Sequence, residues 1–244
     1  MYSHKNRQNG FIIITAIVII AIFFFSRTPP QSQYIQEIPK NTGRVVFAIT
    51  DLAADMGNIT AINITIDSII IHNTQNDSWI NISVQQKVVD LLQLKSQNMN
   101  ALLHEYYLPE GRYNQIRLDI SRVVVDAWSG NKVAKLPSNQ LKINIDLEVK
   151  ELTTSSILFD FVADKSLHTT GTGNSGTYIF APVVKLTVKE ETTIEVVGER
   201  VNIYGGKTKT DIEIGMDERG NVGPDRKIEP NTKMSIQSGM IIPY

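Results

Sequence analysis

The sequence contains no cysteine among its 244 residues. The chain therefore forms no disulfide, and it has neither a cysteine metal site nor a thiol nucleophile. It also lacks the cysteine to which a bacterial lipoprotein attaches its lipid. A domain of about 200 residues buries enough apolar surface to fold outside the cytoplasm without disulfides.

An excess of one charge is also missing. The chain has 24 lysines and arginines against 25 acidic residues, so no overall field attracts nucleic acid, and we expect no nucleic-acid partner. None of the four histidines stands at metal-ligand spacing from another; they are His4, His72, His104 and His168.

Catalytic motifs are equally scarce. No GxSxG run is present, and the glycine-rich run at residues 171–176 precedes a strand instead of opening a helix, unlike a nucleotide-binding loop. We therefore expect no cofactor, no metal and no catalytic residue, and so not an enzyme. An enzyme that uses carboxylates or a metal stays an alternative, because the sequence cannot place pairs such as Asp160 and Asp164.

One long hydrophobic run is present, Phe11–Phe25, and Thr15 is its only polar member. Lys5 and Arg7 precede the run and Arg27 follows it. The run is shorter than the roughly 20 apolar residues that span a bilayer. Flanking residues can extend the helix while the basic side chains reach the interfaces.

We interpret residues 11–27 as a transmembrane signal anchor that inserts into the lipid bilayer of the cytoplasmic membrane. Residues 1–10 then form a basic cytoplasmic leader, because positive charge before a span favours an N-terminus inside. Residues 28–42 form a proline-containing linker. The protein is single-pass, with its C-terminal domain outside.

Two alternatives exist for this segment. The first is a cleaved secretory signal, although no small-x-small cleavage site follows the run. The second is a type IV pilin-like subunit that is processed after Gly10, since Gly10–Phe11 resembles the prepilin junction. Most pilins carry glutamate at the fifth mature position, where this chain has Thr15, and Pro29 stops the helix early.

Alternating apolar and polar residues dominate residues 43–190. Leu141–Lys150 has the most regular alternation, which is typical of a strand with one face in a core and one in water. Apolar residues occupy every second position up to Ile120, but after it they fall on the other positions. We therefore predict a β-bulge near Ser121–Arg122. About eight strands and no sustained helical pattern predict an all-β fold, an antiparallel β-sandwich.

Three stretches of this region are harder to assign. Val88–Leu94 fits either a strand or a helix, and Asn98–Tyr106 is predicted as a short helical turn. Tyr178–Lys189 is predicted as one strand. Because proline donates no ladder hydrogen bond, Pro182 indicates that this strand lies at an edge or carries a bulge.

Four runs in this region occur in an order that carries a resemblance: AITD (Ala48–Asp51), VDLLQL (Val89–Leu94), LPEGRYNQIRLDI (Leu108–Ile120) and YIFAPVVKL (Tyr178–Leu186). Residues 43–189 resemble the domain-of-unknown-function family 4382, found in bacterial and archaeal envelope proteins. The resemblance implies a transthyretin-like β-sandwich outside the cytoplasmic membrane, and an immunoglobulin-like topology stays open. It brings no activity and no catalytic residues.

Residues 191–244 lie beyond that resemblance. Ile194–Ile203 and Lys209–Met216 read as strands, and we expect a small C-terminal β-appendage packed on the sandwich. The alternative is a separate, weakly ordered hairpin, since two strands alone are only marginally stable. The polar loop after Met216 has calcium-ligand residue types but no EF-hand order, so we interpret it as a solvated turn.

Candidate binding features cluster early in the domain. Four N-x-[ST] sequons are candidate glycosylation sites: Asn58, Asn63, Asn76 and Asn81. Five aromatic residues are candidates either for a sugar-stacking platform or for core and strand-edge packing: Trp79, Trp128, Tyr106, Tyr107 and Tyr113. We expect a non-catalytic envelope protein with either a binding or a structural role, and its candidate partners are a glycan and another envelope protein.

Overall fold

The computed structural model describes residues 39–51, 56–170 and 176–243. Every element below belongs to one compact unit, Ile38–Tyr244. The predicted leader, anchor and most of the linker lie outside the described residues. Within the described ranges, no helix is long and apolar enough to cross a membrane.

Two β-sheets form most of the described chain. The larger sheet has eight strands, in the spatial order β12 (Thr193–Val197), β13 (Arg200–Tyr204), β4 (Ala101–Pro109), β1 (Thr42–Asp51), β8 (Thr154–Phe161), β11 (Val183–Glu190), β14 (Lys207–Met216) and β15 (Val222–Gly223). The smaller sheet has five, in the order β3 (Ser78–Asp90), β2 (Ile59–Asn73), β5 (Gly111–Ala127) and β6 (Gly130–Val133), with β7 (Gln140–Val149) also paired to β5.

Shorter elements complete the described chain. Two hairpins stand apart from them, β9 (Leu167–Thr169) with β10 (Tyr178–Phe180) and β16 (Met234–Gln237) with β17 (Met240–Pro243). The two described helices are brief, α1 (Leu91–Ser96) and α2 (Ala163–Ser166). The expected all-β, mostly antiparallel architecture is thus confirmed.

The core lies between the inner faces of the two sheets. Phe47 and Phe159 of the larger sheet and Ile64 and Leu118 of the smaller one are fully buried in one hydrophobic cluster. Burial of apolar surface on both inner faces holds the sheets together as a sandwich.

Antiparallel pairing has one exception among the sheet strands. β1 and β8 are parallel, with Phe47 opposite Ile157. The chain between them runs through the whole smaller sheet, so it returns to the larger sheet in the same direction, as parallel pairing requires.

The predicted bulge in β5 is confirmed. Thr65 pairs with Arg122 and Ile66 with Ile120, which leaves Ser121 without a partner in the ladder. The opposing strand skips Asp67 at the same point, and the Ser121 hydroxyl donates to its carboxylate at 3.0 Å. Because of this extra residue, the positions whose side chains face the core shift by one after the bulge.

Two local predictions are wrong. The helix lies at α1 instead of Asn98–Tyr106, because the Asp90 carboxylate accepts the Leu92 amide at 3.1 Å and caps a helix there. Residues from Ala101 onward form β4. Pro182 marks neither an edge nor a bulge: it separates β10 from β11, and β11 has neighbours on both sides.

The strands after residue 190 are continuous with the larger sheet. β14 pairs with β11 from Glu190 to Val183, and β13 meets β4 at Arg200. The residues predicted as an appendage therefore supply four strands of that sheet, β12 to β15. Only the last pair, β16 with β17, forms a sheet of its own.

Side chains of the larger sheet close one seam of the sandwich. β7 pairs only with β5, so some of its amides face away from the ladder. The Thr210 hydroxyl accepts the Asp146 amide at 2.9 Å, and the Glu190 carboxylate accepts the Glu148 amide at 2.6 Å. Both acceptors are buried, so they satisfy edge donors that would otherwise lack partners.

Candidate functional site

A row of side chains crosses the outer face of the smaller sheet. Trp79 of β3 lies opposite His72 of β2. His72 lies opposite Gln115 of β5, and Gln115 opposite Asn144 of β7. Because directly opposed residues point to the same face of a sheet, these four side chains form one continuous stripe, named here the Trp79 row.

Arg117 fixes one side of the indole. It lies two residues from Gln115 on β5, on the same face, and its guanidinium carbon is 3.6 Å from the centre of the Trp79 ring. Guanidinium groups stack on indole faces with a favourable electrostatic attraction. The Arg117 Nε donates to Gln115 at 3.1 Å, and the Gln115 amide donates to Asn144 at 3.2 Å.

His72 lies beside Trp79 within the row. Its ring centre is 4.6 Å from that of Trp79, with the planes tilted by 39°. Its Nδ1 lies 2.8 Å from an Asn114 oxygen and its Nε2 lies 2.9 Å from an Asp77 oxygen. The imidazole is therefore held by two acceptors beside the indole.

The Trp79 row combines an accessible apolar ring with planar polar groups. Trp79 remains 42% exposed although Arg117 covers one face. A pyranose presents an apolar C–H face and a rim of hydroxyls, so an indole bordered by amides and a guanidinium offers it both kinds of contact. The same combination of tryptophan and arginine also anchors protein interfaces.

The other aromatic candidates do not join this row. Tyr113 is buried, and its hydroxyl donates to the Pro109 carbonyl at 2.8 Å. Burial raises the pKa of that hydroxyl, while a hydrogen bond with Asn73 opposes the rise. Tyr106 and Tyr107 are half-buried in β4 of the other sheet. Trp128 is highly exposed in the turn between β5 and β6.

The four sequons differ in accessibility. Asn58, Asn76 and Asn81 are exposed, whereas Asn63 is half-buried and its amide donates to Asp126 at 3.1 Å. Asn81 follows Trp79 by two residues on β3 and so shares its face. Glycosylation of these residues stays a prediction. The candidate processing junction, Gly10 and Phe11, lies outside the described residues.

The loop after β14 is closed by its own backbone. Asp217 accepts the amides of Arg219 and Asn221 at 3.0 and 2.9 Å, and also the Asn221 side chain and Arg226. Burial alone would raise the pKa of Asp217, but these donors outweigh it, so the pKa lies below its ordinary value. Among the described residues, no three His, Asp or Glu side chains are grouped to hold a metal.

These features define an all-β sandwich with a polar, tryptophan-bearing outer face. The family model "Domain of unknown function (DUF4382)" matches residues 42–182, and the chain belongs to that family. This confirms the resemblance found in the sequence. No curated protein and no solved structure matches the chain.

The sequence singled out Trp79 but missed its neighbours. Arg117, His72, Gln115 and Asn144 come from three other strands, and only the register brings them together. Alternation in β5 and β7 did predict that Arg117, Gln115 and Asn144 point outward, which was the one available signal.

Proposed function

We propose that this is a membrane-anchored protein that displays its β-sandwich outside the cytoplasmic membrane and binds a glycan of the cell envelope through the Trp79 row, without catalysis. The exposed indole stacked on Arg117 carries the binding part of the proposal. The family resemblance supports a transthyretin-like topology, in which the run before Tyr113 leads into a strand.

The anchoring part rests on the hydrophobic run Phe11–Phe25 and the basic residues around it. Membrane fractionation followed by mass spectrometry of the mature N-terminus tests it. Recovery in the membrane fraction with residues 1–10 retained supports an anchor. A mature chain that begins at Phe11 overturns it and favours the pilin-like filament subunit.

The binding part is tested with polysaccharide isolated from the envelope of cells that make the protein. We expect Trp79→Ala to weaken binding roughly tenfold or more, because an exposed tryptophan commonly supplies much of the energy of such a contact. Trp128→Ala is the matched control, since it removes a second exposed tryptophan from outside the row. If Trp79→Ala and Trp128→Ala bind the polysaccharide equally well, the Trp79 row is not the binding surface.

Purification of the protein from the cells that make it tests for an alternative partner. If the wild-type protein retains no polysaccharide but carries an envelope protein that Trp79→Ala releases, the row is a protein interface instead. The surface assignment would then stand while the glycan assignment fails.

A further inference from the structure

A second surface feature, separate from the Trp79 row, is a cavity of about 730 Å³. Its described walls come from the start of β2, from α2 and the β9–β10 hairpin, and from the segment 227–232. Cavities of roughly 300–1,000 Å³ are the size that small organic ligands occupy. No property of the family assigns a role to this cavity.

Part of the cavity lining is apolar. Met56, Ile59 and Leu167 line it as partly buried members of the main hydrophobic cluster, and the buried Ile228 belongs to the same cluster. Because these side chains are packed against the core, this wall is a preformed apolar surface that favours a ring or short hydrocarbon.

Two amines also belong to the lining of the cavity. Lys165 and Lys227 line the cavity, and Asp164 is the acidic residue of its described lining. Lys165 pairs with Glu213 at 3.2 Å and Lys227 approaches Glu229 at 3.7 Å, and the exposed fraction of these four side chains runs from 49% to 69%. Exposed pairs of this kind contribute little, so both ammonium groups can turn to an incoming anion at small cost.

His168 also lines the cavity. Burial lowers the pKa of His168, which its hydrogen bond with the Lys165 backbone only partly offsets, so the ring is neutral near pH 7. Its Nε2 is shielded from water and has no hydrogen-bond partner in the described structure. Buried polar atoms of this kind usually have partners, and such exceptions occur at functional sites.

We propose that this cavity binds a small organic anion, with an apolar body against Ile59 and Ile228 and a carboxylate or phosphate group held by Lys165 and Lys227. Two ammonium groups in one partly apolar cavity favour a charged head on a hydrophobic body over either a free inorganic ion or a neutral molecule. The proposal is independent of glycan binding at the Trp79 row.

The test uses the full chain in neutral detergent, with histidines labelled at the imidazole Cε1. Benzoate and phenyl phosphate are the two anionic probes, which separate a carboxylate from a phosphate ligand, and benzyl alcohol is the neutral one. We expect at least one anion to shift the His168 signal saturably. His72 and His104, which do not line the cavity, should stay in place and report an intact fold.

Lysine variants then assign the anion contact. Lys165→Gln and Lys227→Gln should each raise the dissociation constant about tenfold, because a charge-assisted hydrogen bond is lost. Lys185→Gln is the matched control, since its pair with Asp211 at 3.3 Å has nearly the distance and exposure of the Lys165 pair and lies outside the cavity.

Three results would overturn the proposal. The first is that neither anion moves the His168 signal. The second is that benzyl alcohol binds as tightly as the anions. The third is that Lys185→Gln weakens binding as much as the two cavity variants do.

Discussion

The outer faces of the two sheets differ in what covers them. On the larger sheet, Val46 and Ala48 are fully buried beneath a second hydrophobic cluster that includes Val201 of β13 and Ile194 of β12. On the smaller sheet the outer face carries the Trp79 row and remains open. β1 of the larger sheet is therefore buried on both faces, whereas the smaller sheet has one face for the core and one for water.

This difference explains two sequence patterns. Val45, Val46, Phe47, Ala48 and Ile49 form a continuous apolar run because both faces of β1 are covered. β7 alternates strictly because only one of its faces meets the core. The binding surface proposed above lies on the open face, where side chains can serve contacts other than folding.

An aspartate introduced into the outer face of each sheet should give the largest difference in stability between the two sheets. We expect Val46→Asp to destabilise the protein by about 3 kcal/mol or more, since it buries an unpaired carboxylate opposite Glu105. Ile70→Asp, at a partly buried position on the outer face of the smaller sheet, should lower the stability far less. Urea denaturation measures both, and similar losses would mean that the β12–β13 hairpin does not cover β1 in solution.

Two carboxylates, one nearly buried and one exposed, should also differ in how much they contribute to stability. Asp217, at the end of β14, is nearly buried and accepts several donors, so Asp217→Asn should cost about 2 kcal/mol at neutral pH. Asp225→Asn, exposed in the same loop, should be nearly neutral.

The pH dependence of this contribution has a defined sign. The folded pKa of Asp217 is lowered, so its stabilisation is complete above the unfolded pKa of about 3.9 and is lost as pH falls through the folded value. Wild type and Asp217→Asn should therefore converge in stability on acidification. A constant difference down to strongly acidic pH would contradict the assignment.

The seam between the sheets should show a smaller effect. Thr210→Val removes the acceptor of the Asp146 amide while keeping the side-chain shape, and we expect a loss of about 1–2 kcal/mol. Thr208→Val, exposed on the same strand, is the control. Hydrogen exchange of the Asp146 amide should accelerate only in Thr210→Val.

The open face should yield the smallest change. Arg117→Ala removes the stacked guanidinium, and we expect a loss of only about 0.5–1 kcal/mol in stability. Lys142→Ala, opposite Arg117 on β7, should change almost nothing. A large loss in thermal denaturation would mean that this face contributes to folding as the covered one does.

Local signals predicted the fold well where one face meets water. The alternation in β7 and the phase slip at Ser121 translate directly into burial, because each depends on residues close in sequence. The helix at α1 was misplaced because a single side chain, Asp90, decides where the strand ends. Pro182 was misinterpreted because the chain changes partners there, which a strand pattern does not report.

Local sequence patterns could not predict the features that join segments far apart in the chain. The parallel pairing of β1 with β8 and the convergence of β2, β3, β5 and β7 on the Trp79 row join segments far apart in sequence. The cavity near His168 likewise combines the start of β2 with the segment 227–232. Sequence alone identified Trp79 as a candidate but not its surroundings, and it gave His168 no role.

The parallel pair of β1 and β8 also has a kinetic consequence. β1 cannot complete its ladder until the chain through β8 is present, whereas β2, β3 and β5 pair through nearer segments. Closing a long loop carries a larger entropic cost and slows folding. We expect amides of β2 and β5 to gain hydrogen-exchange protection before those of β1 during refolding, so the strand first in sequence is among the last to settle.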